Sequence, residues 1–355
     1  MVYRILAINT GSTSTKIAVY DNDKPVAVKS LIHENITVHR YEKVFAQKDF
    51  RKEVILRFLE EYQIPLESID VFVGRGGLLR PIKSGIYAVN EKMLADLEAE
   101  KYGAHSCNLG APLAYELARI HKKPAYIVDP VVVDELSDYA RISGHKEIER
   151  ISIFHALNQK ATAHRYASEH NKKYEDLNLI VVHLGGGISV GLHLKGEVVD
   201  VNNALGGEGP FTPERAGTLP AFQLIDLCYS GKYTKEELKK QLVGKGGLMS
   251  YINTSDGIEV ERRIASGDDE ALFYLEAMGY QIIKEIGAHY FTAKAKIDAV
   301  LLTGGLAYSK NLITYFQKNL PDFVNLEIYP GENEMESLVF GVLRILHAEE
   351  EVKAY

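Results

Sequence analysis

Two short stretches carry more hydrogen-bonding groups than a chain reversal needs. In "ILAINTGSTSTKIAVYD" an apolar strand breaks at Asn9, Thr10, Gly11, Ser12, Thr13, Ser14 and Thr15, and a second apolar strand then resumes. A two-residue hairpin turn asks only for Asn-Gly or Asp-Gly. In "VVHLGGGISVG", His183 stands just before Gly185, Gly186 and Gly187. Successive amides in such a bend form a concave anion site, and hydroxyls add donors. Taken alone, either bend is equally well read as a solvated turn. Two bends at equivalent places of a duplicated chain suit a polyphosphate gripped from both sides. A third glycine pair, Gly304-Gly305 in "LLTGGLAYSK", marks a strand running into a helix. An adenosine lying flat on backbone and plain helix–strand packing both account for it.

Other residues sit where chemistry is done. Asp129 ends the strand "AYIVD" before Pro130, so its carboxylate faces the crevice where open α/β sheets bind ligands. A turn aspartate has the same pattern. Arg75 and Arg80 flank "GGLL" after another strand; a guanidinium held there suits bidentate binding of a carboxylate or phosphate, or a surface ion pair. Of 12 histidines, His183 lies beside the glycines and His155 where the first half of the chain passes into the second. A satisfied, partly buried histidine is the alternative for each. Glu334 opens the last helix after "YPGEN", where a carboxylate also simply complements the helix dipole. Neither G-x-x-x-x-G-K-[ST] nor a strand followed by G-x-G-x-x-G occurs, which disfavours a P-loop or dinucleotide fold.

The elements that must position these residues alternate from end to end. "YRILAIN", "KIAVYD" and "PVAVKSL" read as three short strands, and "FRKEVILRFLEEYQI" as a helix with Val54, Ile55, Phe58, Leu59 and Tyr62 on one face. "IDVFVG" and "PAYIVD" read as strands. "EKMLADLEAEKYG", ending at a Gly, and "APLAYELARIHKK" read as helices. After the helical "ALNQKATAHRYASEH" the strand–bend–strand–turn–strand pattern begins again in "LIVVHLGGGISVGLHLKGEVVDV". Asn9 falls on His183 at an offset of 174 (183 − 9), Gly11 on Gly185, Ser12 on Gly186 and Thr15 on Ser189. The expected division is residues 1–152 with 336–355, and 153–335, the last helix crossing back to the first half.

Composition bounds the class. A chain of 355 residues suffices for two domains, and 46% hydrophobic with 25% charged residues is ordinary for a soluble protein. A net charge of −7 without a basic block argues against nucleic acid as partner. Cys107 and Cys228 make neither a disulfide framework nor a metal-ligand spacing, as in a reducing compartment. No apolar run nears a membrane span or a signal peptide. A cytoplasmic protein is expected, with neither membrane nor nucleic acid as partner.

The set "INTGSTSTK", "VVHLGGGISVG", "GPFTP" and "LLTGGLA" resembles the acetate and butyrate kinase family, within the actin/sugar-kinase/Hsp70 ATPase superfamily. "VGRGGLLRPI", "VDPVVVDEL" and "ERISIFHALNQKATA" look most like its butyrate kinase branch. The resemblance implies two duplicated ribonuclease-H-like α/β domains around an ATP cleft, the actin-like ATPase fold, in at least a dimer. It implies Asn9, Ser12, Ser14 and Lys16 as the first phosphate motif. His183, Gly185, Gly186 and Gly187 would form the second, and Gly304 and Gly305 the adenosine site. Asp129 and Glu334 would be the Mg²⁺-associated carboxylates, and His155 the histidine that stabilises the transferring phosphoryl group.

Three places depart from acetate kinase. Its Asn in the second bend is Gly186 here, its "GTRSGD" arginine after "FTP" is missing from "FTPERAGTLPAF", and its substrate-side Arg stands three positions before Arg75. Arg75 and Arg215 are the candidate substitutes, and a longer acyl substrate is favoured. The expected activity is reversible, ATP-dependent phosphorylation of a short-chain fatty acid, butyrate or isobutyrate, with ATP and Mg²⁺ as cofactors. The alternatives are an acetate or propionate kinase and a non-enzymatic ATP-driven switch, which would need no substrate arginine loop.

Overall fold

The computed structural model describes residues 1–33, 41 and 43–355. The chain divides into two compact units, residues 1–133 with 333–355, and residues 134–332. Residues 134–152, expected in the first half, join the second unit through bonds such as Ser137 N to Val199 O and Arg150 Nη1 to Asp200.

The first unit holds a seven-stranded sheet among the described residues. Its strands are β1 (Arg4–Thr10), β2 (Ser14–Asp21), β3 (Lys24–Ile32), β4 (Val71–Arg75), β5 (Ile86–Ala88), β6 (Ala125–Val128) and, near the end of the chain, β12 (Lys353–Ala354). They lie in the order β12-β5-β6-β4-β1-β2-β3. The opening β1-β2-β3 meander is antiparallel, whereas β4 runs parallel to β1 and to β6. The second unit repeats this plan with β7 (Asn178–Leu184), β8 (Ile188–Leu194), β9 (Glu197–Val201), β10 (Ala299–Gly304) and β11 (Leu326–Pro330), in the order β11-β10-β7-β8-β9. Again an antiparallel meander is followed by strands parallel to its first member. The expected α/β class with two strand–bend–strand–turn–strand units is the observed one.

The two hairpins differ by one residue. Asn9 pairs with Lys16, and His183 pairs with Ser189. The offset is therefore 174 on the outgoing strand (183 − 9) and 173 on the returning one (189 − 16). By register Ser189 stands where Lys16 does, because the glycine bend is one residue shorter.

Helices cover the sheets as their apolar spacing dictates. In Lys48–Glu61 the buried set is Arg51, Val54, Ile55, Phe58 and Leu59, while Tyr62 is exposed. Gly110–Ile120 packs on β4 so closely that a Cβ on Gly74 would fall 2.2 Å from Gly110 O. Glu334–Leu346 buries Met335, Leu338, Val339, Val342 and Leu343 against β1, β4 and β6. Ala156–Glu169 packs on β7 and β10. Glu91–Glu98 stops before Gly103 rather than at it, the chain reversing through Glu100 in the left-handed region. The strands β5 and β11 are too short to show a period, and the helix Gly257–Ala265, although amphipathic, is missed by the sequence reading.

Candidate active site

In the first unit the hairpin register places Asn9 and Lys16 side by side. Both reach Glu334, the first residue of the last helix: Asn9 Nδ2 donates to Oε2 at 2.5 Å and Lys16 Nζ at 3.1 Å. Arg75, the last residue of β4, donates from Nη1 to Glu334 Oε1 at 2.6 Å and to Asn9 Oδ1 at 3.4 Å. Asn333 turns the chain into this helix from the left-handed region, φ 42°. Glu334 therefore does more than complement a dipole: two cations and an amide converge on one carboxylate whose side chain is 13% exposed. Arg80, by contrast, stacks its guanidinium 4.8 Å from the Tyr355 ring centroid, a packing role.

Asp129 follows β6 and is buried with a positive φ of 37°. Non-glycine residues rarely adopt this conformation, and it costs about 1–3 kcal/mol. Its carboxylate accepts the Gly85 amide at 2.7 Å, and Arg344 Nη2 lies 3.9 Å from the other oxygen. Among the described residues no three His, Cys, Asp or Glu side chains gather into a metal cage. Mg²⁺ needs only one or two carboxylates when phosphates supply further ligands. A buried, partly compensated Asp129 and a shielded Glu334 are chemically suited to that.

The first bend rests on a residue that sequence reasoning missed. The Arg51 guanidinium is fully buried beneath it. Nη1 donates to Ser14 O at 2.7 Å and Thr15 Oγ1 at 3.0 Å, and Nη2 to Gly11 O at 2.9 Å and Ser12 O at 3.3 Å. The His33 amide takes Thr13 O at 2.7 Å. The bend's carbonyls are thus held from below, and the Gly11 amide closes the loop on Ser14 O. The amides and hydroxyls of Ser12 and Thr13 belong to its exposed side. Burial lowers the Arg51 pKa to about 10, so it stays a cation at neutral pH. The signal was available: Arg51 falls on the apolar stripe with Val54, Ile55 and Phe58.

In the second unit His183, in β7, and His155, capping Ala156–Glu169, stack with ring centroids 3.8 Å apart and planes 15° from parallel. His155 Nδ1 lies 2.9 Å from Ser189 Oγ, and His183 Nδ1 lies 2.7 Å from Asn158 Oδ1. Two of the three glycines beside them have a packing reason. A Cβ on Gly185 would fall 2.8 Å from His183 Nε2, and one on Gly187 would fall 2.2 Å from Arg215 Nη1. The Gly185 amide closes the bend on Gly187 O, and Gly186 faces outward. The Thr212 hydroxyl of "GPFTP" donates to Gly186 O at 2.6 Å and accepts the Arg215 amide at 3.0 Å. That motif is a staple bringing Arg215 onto the bend. The Arg215 Nε is buried with no acceptor among the described residues. Of the two candidate arginines, Arg215 thus stands at the second bend and Arg75 in the Glu334 cluster. Gly304, φ 91°, presses on the Leu184 backbone, where a Cβ would fall 2.4 Å from its carbonyl oxygen; Gly305 faces open space. Packing explains Gly304 on its own.

Comparison with known proteins agrees with this architecture. The family model for the acetokinase family matches residues 144–339, more than half of the chain. The Porphyromonas gingivalis acetate kinase structure superposes with a TM-score of 0.74 at 17% identity, covering 97% of this chain and 100% of that one. A propionate kinase from Francisella tularensis gives 0.72 at 18%, covering 96% and 98%. Acetate kinase from Entamoeba histolytica gives 0.71 at 16%, covering 95% and 98%. These likenesses establish the actin-like ATPase fold. Members of the matched family are carboxylate phosphotransferases that use ATP, normally with Mg²⁺. With more than half of its length matched by that model, this chain belongs to the acetokinase family.

Proposed function

We propose that the chain transfers the γ-phosphoryl group of ATP to the carboxylate of a short-chain fatty acid, butyrate or isobutyrate, reversibly giving an acyl phosphate and ADP. The observation that carries this reading is the convergence of Asn9, Lys16 and Arg75 on one carboxylate. Such a cluster is built to grip an anion, and its guanidinium matches a carboxylate's geometry. Glu334 holds those donors as a substrate or phosphate oxygen would.

A short fatty acid is ionised at pH 7, so no general base need act, unlike in a kinase for hydroxyl groups. The work is bringing two anions into line and stabilising charge on the equatorial oxygens. Ser12, Ser14 and Lys16 would hold phosphates at the first bend over the Arg51 cation. His183 and Gly185 to Gly187 would do so at the second, with Gly304 and Gly305 beside the adenosine. His155 and Arg215 would face the transferring group. Mg²⁺ would neutralise the nucleotide's charge with Asp129 and Glu334 as its protein carboxylates. Arg75 and Lys16 would then pass from Glu334 to substrate and phosphate oxygens.

The preference for a four-carbon acid rests on the motifs "VGRGGLLRPI" and "VDPVVVDEL" and on Gly186 in place of an asparagine. The test is acyl-phosphate formation, trapped as hydroxamate, from Mg-ATP and a panel from acetate to valerate and isobutyrate. Butyrate or isobutyrate as best substrate is the expected result. Acetate or propionate as best would reassign the substrate, and ATP binding without product from any acid would overturn the kinase reading.

A further inference from the structure

Asn158 and Gln159 are successive residues of one helix, and each reaches a different member of the stacked histidine pair's surroundings. Gln159 Nε2 lies 3.0 Å from Ser189 O and 2.8 Å from Ser189 Oγ. A carbonyl oxygen only accepts, so the amide nitrogen of Gln159 must face Ser189. Its Oε1 then faces His193 Nε2 at 2.9 Å, which puts a proton on that nitrogen. His193 Nδ1 is left to accept from the Tyr174 hydroxyl at 2.7 Å. Complete burial holds the His193 pKa well below its ordinary value, so the ring is neutral and carries one proton. The chain of bonds runs one way, from Tyr174 through His193 and Gln159 to Ser189. Having accepted from Gln159, the Ser189 hydroxyl has its own proton to give to His155 Nδ1 at 2.9 Å.

The neighbouring chain has the opposite sense. Asn158 Nδ2 donates to Glu332 O at 2.9 Å and lies 3.3 Å from Thr303 Oγ1. The Glu332 carbonyl only accepts, so Asn158 Oδ1 faces His183 Nδ1 and requires a proton there.

We propose that Asn158, and Gln159 acting through Ser189, are positioning residues that hold His155 and His183 in opposite neutral tautomers. The proton then sits on Nε2 in His155 and on Nδ1 in His183, whose Nε2 lies 4.0 Å from Glu332 Oε1. A donor fixed in advance at His155 Nε2 costs no reorganisation when charge develops on a phosphoryl oxygen. This use of the tautomer rests on the kinase reading; the tautomer assignment does not.

The test is long-range ¹H–¹⁵N correlation on ¹⁵N-histidine-labelled full-length protein at pH 8, with His155→Gln and His183→Gln spectra used only to assign peaks. The expected result is a protonated Nε2 on His155 and a protonated Nδ1 on His183. A proton on His155 Nδ1 or on His183 Nε2 in the wild type overturns the proposal, whether or not any variant folds. In Ser189→Ala and Gln159→Leu the His155 signals should move to a mixture of tautomers. Turnover should fall about tenfold to a hundredfold at unchanged KM for ATP, and Ser189→Thr should restore both. An unmoved His155 signature in both variants also overturns it. The predicted tautomers in a protein that phosphorylates no acid would leave this assignment standing and remove only the kinase reading.

Discussion

The imidazoles of His155 and His183 lie face to face, 3.8 Å between centroids and 15° from parallel, although the residues come from a helix cap and a strand end. Each ring is one wall of the other's site, so their contributions cannot be independent. His155→Ala and His183→Ala should each lower turnover about 10²- to 10³-fold, the range for losing one transition-state donor. The double variant should be little worse than the worse single one, because neighbouring groups acting as a unit are not additive. Steady-state hydroxamate rates on all four proteins measure this; full additivity would separate the two roles.

Arg75 donates to Glu334 and to Asn9 from one end of its guanidinium. Arg75→Ala should reduce kcat/KM for the carboxylic acid at least about tenfold, and Arg75→Lys should rescue little, since an ammonium lacks the planar fork. Fluorescence-detected nucleotide affinity should change less than kcat/KM. An equal loss in both would place Arg75 on the nucleotide instead.

Asp129 pairs through Oδ1 with the Gly85 amide while its backbone occupies the left-handed region. Asparagine tolerates that conformation and can accept the same amide proton. Asp129→Asn should keep the melting temperature within a few degrees, lower turnover about 10²-fold or more and raise the Mg²⁺ concentration needed for half-maximal rate. Unchanged Mg²⁺ dependence would remove Asp129 from the metal's neighbourhood.

Arg51 satisfies carbonyls of the first bend from within the core. Arg51→Met would bury those acceptors unpaired at about 1–3 kcal/mol each. Calorimetry should record a lower melting temperature, and Mg-ATP should bind more weakly as the bend loosens and its cation is lost. Tight binding retained by a folded Arg51→Met protein would make Arg51 purely structural.

His33 and His193 are both neutral by burial, their pKa values below the ordinary 6.5. Below about pH 6.5 the unfolded chain binds more protons at these sites than the folded chain does, so stability is present above that pH and lost as pH falls. A group that stays neutral in the folded chain throughout that window, as the fully buried His193 does, removes about 1.4 kcal/mol per pH unit, and His33 adds to the loss in the same direction. Urea unfolding between pH 7.5 and 5.5 should give a falling midpoint, with a shallower fall in His193→Gln. An equal slope in that variant would assign the loss to other groups.

The strand–bend–strand repeat and the two bends were legible in the sequence because they are local: apolar alternation and turn residues act over neighbouring positions, whereas the fold was legible only through the family resemblance of the motifs. Asn9, Arg75, His155, His183 and Glu334 stood out in the sequence only as candidates, by residue type, place and family resemblance. Tertiary structure alone decided what those side chains do to one another. Glu334 meets Asn9 across 325 residues of sequence, Arg51 lies beneath a bend some 40 residues before it, and "GPFTP" turns out to clamp Arg215 onto Gly187. Hydrogen-bond direction in the histidine pair depends on which acceptor faces each amide, and only the packed sheet and helix bring that acceptor within 3 Å. Local pattern therefore sets which groups are available. Packing sets their partners, because burial makes an unpaired polar group costly and so leaves one arrangement that satisfies them all.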